Sequence, residues 1–223
     1  MFFEKSNLVS MTDRSKARQT ASLKRIEAYW HSLSDGKIPL RSKVDPKCIE
    51  ADLEYAFIAE QIAPGMAKLR VAGSHLNDLM GIETSGMPLS ALLAPAARPL
   101  LSDALIRFFR EPGITRIHFD GEQGIGKPAL SGEAVLAPLC SDTGDFDRAL
   151  GGLVTYGKVG RTPRRMTITS LSHVPLDRLD KHQTPQKTQI SGFAEPVSSF
   201  QPAPKTDGPS KHPYLRLIVS NDD

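Results

Sequence analysis

Three short stretches carry residue types that could do chemistry. Gly121-Glu-Gln-Gly-Ile-Gly126-Lys127 fills the first seven positions of a phosphate-binding loop. The eighth position needs a Ser or Thr hydroxyl for magnesium and holds Pro128. The residues beyond it read as a strand, where a helix N-terminus should meet the phosphates. A glycine-rich hairpin turn accounts for the stretch better than nucleotide hydrolysis does. His75 precedes a short apolar helix and has two readings, an axial haem ligand or a solvent-facing residue of the first helical turn. The other histidines, His31, His118, His173, His182 and His212, show no i,i+4 ligand pair. Arg161-Thr-Pro-Arg-Arg165 is the strongest basic cluster, suited to nucleic acid, to an anionic phosphodiester or to a solvated linker. No base-reading motif accompanies it, which favours the linker.

The remaining candidates are weaker. Glu50, Asp52 and Glu54 read as a solvated approach to a strand, and Asp142, Asp145 and Asp147 lack the twelve-residue calcium pattern that ends in glutamate. Cys48 and Cys140 are the only cysteines, which excludes a disulfide framework and a four-cysteine zinc site. No Ser/His/Asp or Cys/His set is placed by neighbouring elements. The sequence therefore requires no cofactor and does not predict an enzyme.

What must position any site is a chain of 223 residues with 39% hydrophobic and 24% charged side chains, enough for one full domain with tails. Its net charge of +3 is uneven. Residues 1–28 carry six basic against three acidic side chains, residues 29–156 twelve against sixteen, and residues 157–223 ten against six. A mildly acidic body thus lies between basic ends. Eight of the 17 prolines fall after residue 156, so residues 157–223 read as a Pro-rich basic tail, mostly disordered or loosely draped. Tyr214 to Val219 is its one β-prone segment, suited to the chain's own sheet edge or to a partner's. Residues 1–19 read as a flexible N-terminus. No apolar run approaches the roughly 20 residues that cross a bilayer, and no secretory signal is visible, so a cytoplasmic protein without membrane insertion is expected.

Between the tails, residues 20–156 read as one domain. Leu23, Ile26, Trp30 and Leu33, flanked by Tyr29, form an apolar stripe on a helix from about Thr20 to Leu33. Glu54–Glu60 and Met66–Ala72 read as a hairpin, with Leu69 and Val71 on one face and Lys68 and Arg70 on the other. Ser74 is the expected N-cap of a short helix burying Leu76, Leu79 and Met80. A longer helix from about Ala96 to Arg110 follows, and then strands at Ile114–Phe119, Ser131–Leu139 and Ala149–Tyr156. This order predicts an α+β fold, one five-stranded antiparallel sheet with helices on one face, preceded by the amphipathic N-terminal helix.

The local motifs are specific in their order. Tyr29, Trp30 and Leu33 end the first helix. Gly36, Pro39, Arg41, Asp45 and Pro46 follow, then Arg70, Ala72, Gly73 and Ser74, then Leu79, Gly81 and Gly86. Glu133, Leu136, Pro138, Leu139, Asp142, Gly144, Arg148, Leu150 and Gly151 complete the set. In this pattern residues 25–156 resemble a divergent PAS-like family found mostly in alphaproteobacteria, with Ser74 where threonine is usual and Glu60 where aspartate is common.

The resemblance implies a sensory or protein-interaction module of signalling or regulation, lacking its own output domain. It would bind a small molecule or a partner, and PAS-like modules commonly dimerise through the N-terminal helix. The partner is then a second copy through Leu23, Ile26, Tyr29, Trp30 and Leu33, or a signalling protein. The candidate ligand pocket lies between sheet and helices, lined by Phe57, Leu69, Val71, His75, Leu76, Leu79, Met80, Leu105, Phe109 and Ile117. The same side chains would equally serve as plain core. The rival readings are a nucleic-acid-associated regulator using the basic termini and a haem- or flavin-binding sensor.

Overall fold

A computed structural model describes residues 11–177 of the chain. The first helix, α1, spans Met11–Leu33, and a returning segment follows with 3-10 turns at Arg41–Lys43 and Pro46–Asp52. Then come β1 (Ala56–Ala63), β2 (Met66–Ala72), α2 (Ser74–Met80) and α3 (Arg98–Arg110), the last preceded by two short 3-10 turns. Strands β3 (Gly113–Gly121), β4 (Ser131–Leu139), β5 (Arg148–Tyr156) and β6 (Met166–Pro175) complete the described chain. Every pairing between these strands is antiparallel and the sheet order is β2-β1-β5-β4-β3-β6. The expected α+β architecture stands.

Three expectations change. The sheet has six strands, because β6 pairs with β3 along nearly its whole length. Its segment falls inside the predicted loose tail, but Met166 and Ile168 are buried in the core while Thr167 and Thr169 face solvent. An edge strand needs only one such apolar face. The first helix also begins nine residues before Thr20, so residues 11–19 continue α1. Third, Ser74 is the first helical residue of α2, Gly73 takes the N-cap position, and no side chain caps it. The β-prone segment 214–219 lies outside the described residues.

The sheet is covered on both faces. On one face α2, α3 and the turns between them enclose Phe57, Leu69, Leu76, Leu79, Leu101, Leu105, Phe108, Ile117 and Leu153. On the other, α1 and the returning segment bury Leu23, Ile26, Trp30, Val44 and Ile49 against Ile58, Val135, Leu139, Leu150 and Val154. Adjacent glycines in β5 set both distances. A Cβ on Gly151 would stand 2.1 Å from the Phe57 ring, and one on Gly152 would stand 2.9 Å from Ile26 and Leu23. Pro138 is tolerated in a central strand because the β3–β4 pairing runs only as far as Leu136.

Candidate functional site

The predicted pocket residues separate into three groups. Phe57 and Ile117 line a cavity between sheet and helices, together with Leu89, Leu92, Leu93, Leu101, Phe119, Ala134, Leu136, Leu153 and Met166. That cavity holds about 20 Å³ and has no polar wall, about one water's room with nothing to bond a water. Leu69, Leu76, Leu79, Met80 and Leu105 are buried in the same core, and Phe109 packs at its border against Phe108 and Phe146. Several lining residues went unnamed in the sequence reading, although alternation in β3 and β4 marks Phe119, Ala134 and Leu136 as inward-facing.

Val71 and His75 lie elsewhere. The register steps from Ile58↔Val71 to Ala59↔Leu69, so Arg70 is an extra residue in β2 and the alternation changes phase there. Leu69 therefore faces the helical layer while Val71 shares the opposite face with Ile58 and remains 50% exposed. His75, in the first turn of α2, has Nε2 3.0 Å from the Thr155 hydroxyl and its ring edge-on to Tyr55. The nitrogen an iron would take is thus engaged by a side chain of β5. Burial holds the His75 imidazole below its ordinary value, against the opposing pull of Asp78 and Glu54.

The helix stripe is spent within the chain. Trp30 is 1% exposed. Its Nε1 donates to the Pro138 carbonyl at 2.6 Å, beyond the end of the β3 pairing. Thr20 bonds Tyr156, Glu27 pairs with Arg116, and Arg25 grips Asp52 through two nitrogens at 2.6 and 2.8 Å. Leu23, Ile26 and Trp30 are thus buried on the chain's own sheet, and Tyr29 and Leu33 pack at its margin. A second copy cannot use that face while α1 is docked. Burial alone would raise the Asp52 carboxyl; hydrogen bonds from Arg25 and Ser22 overturn this and hold it below the ordinary value.

The motif residues converge beside β2. The Tyr29 hydroxyl accepts from the Asp45 amide at 2.7 Å and donates to its carbonyl, the Asp45 carboxylate caps the Lys47 amide, and Pro46 opens the 3-10 turn. At the segment's other end the Arg41 amide donates to the Cys140 carbonyl at 2.8 Å. Gly73 lets the chain pass close to the Leu53 and Glu54 carbonyls, where a Cβ would come within 2.4 Å. Between the tied segment and the β1–β2 hairpin lies an open apolar groove of about 330 Å³. Arg41, Pro46, Ile49, Leu53, Val71 and Gly73 are among its walls, with Ile58 and Leu150 at the base.

The other motif residues are structural. Arg70 pairs with Glu60, and that bond, assisted by Arg148, holds the Glu60 carboxyl below its ordinary value. Gly81 ends α2 at φ +72° and Gly86 turns the following loop at φ +87°. Glu133 faces His118 across the β3–β4 pair at 3.7 Å, and Leu139 is fully buried against the α1 side.

The remaining chemical candidates resolve through their setting. The Gly121–Lys127 stretch belongs to the β3–β4 connection, closed by a Gly124↔Lys127 bridge and followed by a strand. In the basic cluster Arg164 is fully buried and donates to the carbonyls of Val159 and Pro128, so only Arg161 and Arg165 of its arginines retain surface. Among the described residues no helix is long and apolar enough to cross a membrane.

Comparison with known proteins agrees with this architecture. No curated protein matches the chain. Residues 18–154, from within α1 to within β5, match the PAS domain family, and β6 lies outside the matched span. PAS domains are sensory and interaction modules. With more than half of its residues in the match and the β1–β5 order in place, the chain belongs to the PAS domain family.

Proposed function

We propose that this protein is a regulatory PAS module whose signals are read at its surface and passed on through protein contacts, not through a ligand enclosed between sheet and helices. The carrying observation is the cavity of about 20 Å³ between those layers, walled only by apolar side chains. Small-molecule sites commonly offer ~300–1,000 Å³ with a few placed polar groups. Of the pocket residues named from sequence, Phe57, Leu69, Leu76, Leu79, Met80, Leu105 and Ile117 are buried in that core. The partner is a signalling protein or a second copy meeting a surface other than the buried α1 stripe. The nucleic-acid reading loses ground, since Arg164 is committed to backbone carbonyls.

Methyl-resolved NMR on protein purified from its own cells tests the closed core. The methyls of Ile117, Leu136 and Leu153 are expected to show contacts only to the chain's own side chains. Contacts from a retained small molecule to these methyls would overturn the reading.

A further inference from the structure

The groove beside β2 differs from the inter-layer cavity in size, access and charge. It holds about 330 Å³. Its base is formed by buried Val44, Ile49, Ile58 and Leu150, while Leu53 and Val71 remain 38% and 50% exposed on its walls. Among its lining residues Arg41 alone is charged. Arg25, Arg70, Arg116 and Arg148 each face a carboxylate. The half-buried Arg41 side chain makes no ion pair or hydrogen bond among the described residues, and the nearby Asp45 carboxylate is turned to the Lys47 amide. Lys43 and Lys47 are exposed on the same segment, as are Asp45 and Glu50. A planar guanidinium at the edge of an apolar trough is suited to a carboxylate carrying a hydrocarbon chain.

We propose that this groove binds a free medium-chain carboxylate, with its chain on Ile58, Leu53 and Val71 and its carboxylate on Arg41. The occupant needs both parts. An alcohol of the same chain length leaves the guanidinium unpaired, and a short carboxylate leaves the trough wet. The backbone of Arg41, which holds the segment to Cys140, takes no part in recognition. The side chain can therefore be changed without releasing the wall.

Octanoate and 1-octanol, titrated separately into the full chain and followed by backbone and methyl NMR, test this. The expected result is saturable one-to-one octanoate binding with shifts centred on Leu53, Ile58 and Val71, and octanol at least tenfold weaker. Arg41→Gln is expected to bring octanoate down to the octanol affinity and leave octanol unchanged. Val71→Ser, at a half-exposed position, should weaken both ligands and keeps the test open if Arg41→Gln melts early. Non-saturating shifts, equal affinities for the two ligands, or an unaltered octanoate affinity in a folded Arg41→Gln would overturn the proposal. Shifts centred on Ile117 and Leu153 would do the same and would also break the closed-core reading. Failure in the groove alone leaves that reading standing.

Discussion

At Gly151 and Gly152 the two faces of β5 meet different neighbours, the Phe57 ring on one side and Leu23 with Ile26 on the other. Gly151→Ala must push the Phe57 ring out of the core, and a loss of about 1–3 kcal/mol in urea unfolding is expected. A variant as stable as the parent would show that β1 and β5 are not packed this way. Protons act on the same scale. Burial holds His75 low, and burial with Arg107 holds His173 low, so the unfolded chain binds more protons just below the ordinary imidazole value. The stability these groups contribute is complete above about pH 6.5 and drains as pH falls through their lower native values. Asp52 and Glu60 follow the same sign further down, complete above about pH 4 and lost as those carboxylates protonate. Urea midpoints from pH 8 to pH 3 should therefore fall in two stages. His75→Gln or His173→Gln should shrink the first, and an unchanged first stage in both contradicts the assignment.

Among the elements, α1 and β6 carry the sharpest expectations. Trp30→Ala removes a fully buried indole and leaves the Pro138 carbonyl without its donor, so a loss of about 3–5 kcal/mol is expected. Because the stripe is buried within one chain, sedimentation should give the same oligomeric state before and after the change. A melting point that holds while the oligomer dissociates would return the stripe to an interface. Ile168→Ala should cost about 2–5 kcal/mol if β6 packs as described, and nothing if it is a draped tail. The hairpin and strands β3–β5 were legible because apolar residues alternate through them between Gly and Pro turns. β6 was hidden because its alternation is mostly Thr and Ser amid proline-rich, basic sequence. Residues 11–19 are too polar to show a stripe, so their helix could not be read from periodicity. The phase of Val71 was lost at Arg70, since a bulge leaves no mark in a two-residue alternation. Arg41 was visible as a motif residue, but its groove exists only after the returning segment docks on Arg25, Tyr29 and Cys140. Those contacts span up to about a hundred residues of chain, beyond the reach of a local pattern.

At the scale of the whole molecule, both sheet faces are covered, and the space between sheet and helices is filled by side chains from every strand. β6, outside the family match, helps to seal that space. Met166 is one of its walls, and the Met166 carbonyl accepts from the Ala94 amide of the helical layer at 2.9 Å. The strap before it is fixed by the Arg164 amide on the Leu79 carbonyl at 2.7 Å. A domain sealed in this way opens as one cooperative unit, so protection from exchange should not step down at β6 or at α1. Native-state hydrogen exchange on the full chain measures this directly. The account predicts that the paired amides of β6 and the amides of α1 from Leu23 to Leu33 exchange as slowly as those of β4 and β5. Fast exchange in β6 or α1, with β4 and β5 still protected, would contradict it.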